Sequence, residues 1–265
     1  MIIFKYELLQ LRYRIIIWSL VLAVLTIMIL PIYVDMITSA SEATFDSVQS
    51  QDFFIMLGTD FNTLRKPMGM YSFLTSFIFF ACAVNGMSLG IAMFSKEFKN
   101  KTADFLLTKP QSRVNIFLQK FLAAVCTGVI IGLLYTLASV IAMELSPIES
   151  YNLSVLVQIG LSTIYIYTFF LVLGFLVGSI LPNIGSSMPV SFAATFFAYV
   201  IQAFSNKTGV DFLGYFSPYT YFEGAGIIRS GSYDLLYMFL FIFISAGLIM
   251  LSLRFYVRHD VKTLT

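Results

Sequence analysis

The stretch SKEFKNKTADFLLTKPQSRVNIFLQK, residues 95–120, decides how this chain is read. It is a strongly basic interruption between two apolar runs, with Lys96, Lys99, Lys101, Lys109, Arg113 and Lys120 set against Glu97 and Asp104. Inside it, Phe105-Leu106-Leu107 form an apolar island between Thr102 and Pro110. Thr102 can cap a helix of one or two turns, because its hydroxyl accepts a free backbone N–H. Pro110 cannot continue that helix and turns Lys109 away from the helical region. Ser112 can cap the helix that follows. The segment therefore predicts helix, short transverse helix, turn, helix. Two readings fit that pattern. One is a solvated loop carrying the basic charges that flank membrane spans; the other is a docking helix offered to a cytoplasmic partner.

Outward from this stretch the chain is apolar almost everywhere. Of 265 residues, 58% are hydrophobic and only 11% are charged, where a soluble domain carries about 25% charged residues. The mean hydropathy is +0.87. The fold class expected is an all-α polytopic membrane protein, a single transmembrane domain over residues 1–265. A bilayer core of about 30 Å needs about 20 apolar residues per helix. Six runs meet that length, over about 15–33, 70–94, 117–143, 153–180, 188–204 and 235–257.

The connections carry their own signals. In residues 1–14, Phe4, Leu8 and Leu11 recur at helical spacing, continued by Ile15, among Lys5, Glu7, Gln10, Arg12 and Arg14. That pattern predicts an amphipathic helix in the membrane interface, or else a charged lead-in to the first span. The first apolar run exceeds the 7–15 residues typical of a signal-peptide core, so it reads as an uncleaved anchor. Phe53 to Leu57 is expected to form a short interfacial helix before a turn at Gly58-Thr59-Asp60. Residues 205–232 are rich in aromatics and glycine. They are too irregular to span and too apolar for water, which predicts re-entrant short helices or an aromatic interfacial loop. Glycines four apart, Gly86 and Gly90, Gly128 and Gly132, Gly174 and Gly178, predict close helix packing.

Charge sets the expected orientation. An even number of spans puts both termini on one side. Twelve of the 16 Lys and Arg residues fall in the N-terminal segment, the 95–120 stretch and the C-terminal tail. The other side holds Arg65, Lys66, Lys207 and Arg229. The basic side is expected to be cytoplasmic, which places both termini and the loop over residues 95–116 in the cytosol; the membrane itself is expected to be a bacterial plasma membrane. The net charge of +2 argues for no nucleic-acid partner. Cys82 and Cys126 lie within apolar runs and read as packing residues. His259 reads as an interfacial side chain. The span centres carry no ionisable residue, which argues against a proton-coupled carrier and against a membrane hydrolase. No Gly-rich phosphate loop ending in Gly-Lys-Ser/Thr is present. The simplest energy source is a separate cytoplasmic ATPase. The rival readings are a secondary transporter or channel, and a membrane scaffold or sensor.

The stretch Glu97, Lys101-Thr102-Ala103-Asp104-Phe105-Leu106-Leu107-Thr108-Lys109-Pro110-Gln111-Ser112-Arg113 and Lys120 resembles the membrane subunits of ATP-binding-cassette transporters of the type-2 permease family. Lys101 stands where that family often has glycine. Phe216-Ser217-Pro218-Tyr219-Thr220-Tyr221 is a second, weaker likeness. The resemblance implies an elbow helix over residues 1–14, a cytoplasmic coupling helix over 102–108 and extracellular re-entrant helices over 209–230. It implies a nucleotide-binding ATPase subunit as partner, a second permease half, identical or related, and contact with membrane lipid. ATP and Mg would be held by the partner, with no cofactor, metal or catalytic residue in this chain. Phe105, Leu106 and Leu107 would fill an apolar pocket on the ATPase, with Asp104, Lys109 and Arg113 setting the register. Thr102 would cap the coupling helix and Glu97 would anchor the end of the second span. The expected role is export of a hydrophobic or amphipathic cargo such as a peptide, a bacteriocin-like molecule or a drug.

Overall fold

The computed structural model describes residues 2–39, 64, 66–99, 112–146 and 150–258. Among these residues the structure is helical, with no strand. Uninterrupted apolar sequence dictates that outcome, since a backbone in hydrocarbon must satisfy its own hydrogen bonds. The long helices are α1 (Ile2–Ser39), α2 (Pro67–Lys99), α3 (Arg113–Glu144), α4 (Leu153–Ile180) and α5 (Ser187–Thr208). Three short helices follow, α6 (Asp211–Gly214), α7 (Pro218–Tyr221) and α8 (Gly224–Ser230), and then α9 (Leu235–Arg258). Among the described residues, six helices are long and apolar enough to cross a membrane: Ile3–Asp35, Pro67–Lys96, Arg113–Glu144, Leu153–Ile180, Ser187–Thr208 and Leu235–Arg258.

The main departure from expectation is at the N-terminus. Residues expected as a separate interfacial helix are the first turns of α1, which runs unbroken through the span. No glycine or proline stands between Ile2 and Leu30 to interrupt it. Leu11, Ile15 and Trp18 pack on the bundle core, whereas Tyr13, Ile16, Ile17 and Leu20 are exposed. Apolar residues thus occupy both sides of this helix, as they do where one side meets protein and the other hydrocarbon. Pro31 sits inside α1 without ending it.

The bundle is organised around the pair α2 and α4. A Cβ added to Gly86, Gly90 or Gly174 would overlap the partner backbone at Tyr167 O, Leu171 O or Met87 O, respectively. These contacts leave no room for a side chain between the two helices. α3 packs between α1 and α4, and α9 lies across α4 and α3. α5 packs on α2 and on the short helices. The outer faces of α5 and α9 expose Phe192, Phe196, Phe197, Phe239 and Phe243. That surface would be an aggregation hazard in water and suits a helix in lipid.

Helix ends follow local chemistry. Ser112 caps α3, its Oγ accepting from Asn115 N at 3.3 Å, and Asn152 caps α4 through Ser154 N and Val155 N. Gly209 and Gly231 close α5 and α8 in the left-handed region, at φ 68° and 73°, which suits a residue without a Cβ.

Candidate functional site

The predicted docking residues Thr102, Asp104, Phe105, Leu106, Leu107 and Lys109 lie outside the described residues, as do Phe53 to Leu57, the Gly58-Thr59-Asp60 turn and His259. What the structure describes is the end of the bundle from which that loop leaves. Glu97 lies in the last turn of α2. Arg113 opens α3 and donates from Nη1 to Val257 O at 2.9 Å, placing a cation against the carbonyl end of α9. Gly128 faces the Tyr167 ring, Gly132 faces Ile164 and Thr163, and Gly178 lies against Phe94 and Ile91.

At this end, a single carboxylate holds both arms of the loop. Glu7 on α1 is buried, at 3% exposure. Its Oε2 accepts from Lys96 Nζ near the end of α2. Its Oε1 lies 3.3 Å from Lys120 Nζ, two turns into α3. Lys120 has no exposed surface and also donates to Met93 O at 2.9 Å. Gln10 accepts from Lys96 at 3.2 Å, and Gln119 of α3 accepts from Phe4 N at 3.2 Å. Burying a charge is costly unless it is paired. Glu7 thus neutralises the fully buried Lys120, while Lys96, one-third exposed, closes the network from the solvent side.

About two turns deeper, Arg14 of α1 reaches α2. Its Nε donates to Asn85 Oδ1 at 2.7 Å and its Nη2 donates to Asn85 O at 3.1 Å and to Ser88 Oγ. Among the described residues no carboxylate pairs with it. The cation is held by neutral dipoles. Asn85 is fully buried and its Nδ2 has no hydrogen-bond partner among the described residues.

An aromatic cluster backs this network. Phe94, Phe117, Phe121, Phe175 and Tyr256 join α2, α3, α4 and α9, with ring centroids 5.1–6.4 Å apart. Three of these pairs, Phe175 with Phe94, Phe117 and Phe121, are edge-to-face, a favoured aromatic geometry. The arrangement is mechanical in character: it ties the two loop arms to α1 and anchors them to the α2–α4 core.

Glu7, Arg14, Asn85, Ser88 and Lys120 were not marked as a site by the sequence. Arg14 reads there as part of the amphipathic N-terminal stretch, and Lys120 as the end of the basic stretch that carries the family resemblance. A signal was present. Glu7 is the one acid before Asp35, and it shares a helical face with Leu11 and Arg14. Lys120 likewise stands in the buried stripe of Ile116, Phe117, Ala123 and Ala124.

Residues 1–222 match a family model described as "ABC-2 family transporter protein". No individual curated protein matches the sequence.

Proposed function

This chain belongs to the ABC-2 transporter family, and from that membership we propose that it is one half of an ATP-driven exporter. It is a multi-pass membrane permease subunit, and an ATP-binding subunit is its partner. In this reading that partner binds ATP and Mg and grips the loop after α2 from the cytosol. A second permease half, identical or related, completes the assembly in a bacterial plasma membrane. Residues 102–108 form the coupling helix, Phe105, Leu106 and Leu107 enter the ATPase, and Asp104, Lys109 and Arg113 set the register. The cargo is hydrophobic or amphipathic.

The observation that carries the proposal is the family match, and the Lys96–Glu7–Lys120 network supports its coupling step. A loop whose two arms share one buried carboxylate cannot shift one arm alone without breaking an ion pair. Closure of the ATPase dimer then displaces α2, α3 and the start of α1 together. The glycine contacts pass that displacement from α2 to α4. Energy reaches the span interior through rigid packing, since close-packed cores respond by discrete rearrangement.

The test is co-purification. The Leu106→Asp, Leu107→Asp double variant is expected to lose its ATPase partner and cargo-stimulated ATP hydrolysis. Retention of both would overturn the docking role. Transport by the reconstituted chain under an ion gradient alone, with no ATPase, would favour a secondary transporter instead.

A further inference from the structure

At the opposite end of the bundle, α5, the short helices and the start of α9 surround a cavity of about 710 Å³. That volume lies within the roughly 300–1,000 Å³ usual for small-molecule sites. Among the described residues, three charged side chains line it, Glu223, Asp234 and Arg229, together with the rings of Tyr221, Tyr233 and Tyr237.

Glu223 is half-buried, and its environment undersupplies it. Oε1 accepts one hydrogen bond, from Asn206 Nδ2 at 3.1 Å. No cation among the described residues lies within ion-pair distance. Arg229 attracts it only from further off. Burial pushes its carboxyl up to about 7, with the Asn206 bond and Arg229 opposing. Behind it a small chamber of about 10 Å³, lined in part by Ser72, Ser76 and Gln202, keeps the back wall polar. Thr220 also lines the large cavity, and its buried Oγ1 has no partner among the described residues. Asp234 uses Oδ1 to cap α9 at Leu236 N, 2.8 Å away, and is otherwise exposed.

The rings are fixed independently of any ligand. Tyr221 stacks on Tyr237, with centroids 5.3 Å apart and planes 18° apart. The Tyr221 hydroxyl donates to Tyr215 O and the Tyr233 hydroxyl to Gln158 O. Aromatic faces carry negative quadrupole density and attract cations. Two carboxylates and three phenol rings thus share one cavity with a single guanidinium. An anion would meet Glu223 and Asp234. A neutral ligand would leave the ionised form of Glu223 without a counter-charge. A cation with an apolar body satisfies both halves of the lining.

We infer that this cavity binds an organic cation, its charge set against Glu223 and Asp234 and its apolar body against Tyr221, Tyr233 and Tyr237. The inference goes beyond the exporter reading and does not depend on it, because binding needs no ATPase.

The test uses the full chain in phosphatidylcholine nanodiscs, with empty nanodiscs correcting for partition into lipid. The probe is tetraphenylphosphonium, and its control is tetraphenylborate, of the same shape and opposite charge. Saturable binding of the phosphonium is expected, undisplaced by the borate. Glu223→Gln is expected to weaken it roughly tenfold or more, as loss of a charged partner does, while Glu223→Asp keeps most of it. Arg229→Ala is expected to tighten binding, and that gain decides the matter should Glu223→Gln fail to fold. Equal binding of the two ions, absence of saturation, or unchanged affinities in both the Gln and the Arg229→Ala variants would overturn the assignment. Since no nucleotide or ATPase is present, failure here leaves the exporter reading standing, and failure of that reading leaves this result intact.

Discussion

Two carboxylates at opposite ends of the bundle behave differently because their neighbours differ. Glu7 meets two ammonium groups, so its removal strands charge in the interior. Glu7→Gln is expected to lower stability by about 2–3 kcal/mol, read as a fall in thermal midpoint in detergent. Glu7→Leu combined with Lys120→Met replaces the ion pair by apolar contact and is expected to recover at least about 1 kcal/mol of that loss. Strict additivity of the two changes would show that Glu7 and Lys120 are not coupled. Glu223 has no such partner among the described residues, and burial pushes its carboxyl up from the usual 4.5 to about 7. A raised carboxyl pKa means that the folded state holds its proton more tightly than the unfolded state. Stability therefore falls as pH rises from about 4.5 to about 7 and levels off above, with a penalty of at most about 3 kcal/mol. Glu223→Gln is expected to flatten that slope, so that it exceeds the parent protein in thermal midpoint by more at pH 8 than at pH 5. Equal gaps at the two pH values would sink the assignment of the slope to this residue.

Among the elements, the α2–α4 contact sets what the bundle tolerates. A Cβ at Gly174 overlaps the backbone at Met87, whereas Gly247 on α9 has nothing within 4 Å. Gly174→Ala is expected to cost about 1–3 kcal/mol by overpacking, and Gly247→Ala to stay within about 0.5 kcal/mol of the parent. Thermal melts of the two variants side by side check this, and a neutral Gly174→Ala would mean that the helices can separate freely. The spans themselves were legible in the sequence because hydropathy over about 20 residues has few other structural uses. Their ends were less so. The spacing of Phe4, Leu8 and Leu11 is the same for a helix lying on a bilayer and for one entering a bundle, so periodicity alone divided α1 where the structure does not. The Glu7–Lys120 pairing was illegible for another reason. The partners stand 113 positions apart, and their meeting depends on how three helices rotate about their axes. Residues 205–232 showed the right composition for short helices, but the cavity they form with α5 and α9 depends on tertiary placement.

The whole molecule is electrically lopsided, and its proposed direction of work rests on that. The end bearing residues 2–14, 93–99, 112–120 and 254–258 carries the buried cation Lys120 and the half-buried Arg14 in addition to exposed ones. The other end carries the tyrosine-lined cavity with Glu223 and Asp234. Lysine and arginine cross a bilayer reluctantly, so the first end should stay in the cytosol. An ATPase can then reach the loop between α2 and α3 from that side, and the cavity opens on the far side. Both native cysteines lie within spans, Cys82 buried and Cys126 half-buried, so a membrane-impermeant maleimide reports chiefly on introduced ones. Ser112 and Ser232 are exposed at opposite ends. In intact cells Ser232→Cys is expected to be labelled at once, and Ser112→Cys only after the membrane is permeabilised. The reverse pattern would invert the orientation, put the 95–120 loop beyond reach of any cytosolic ATPase, and remove the basis for coupling through Glu7.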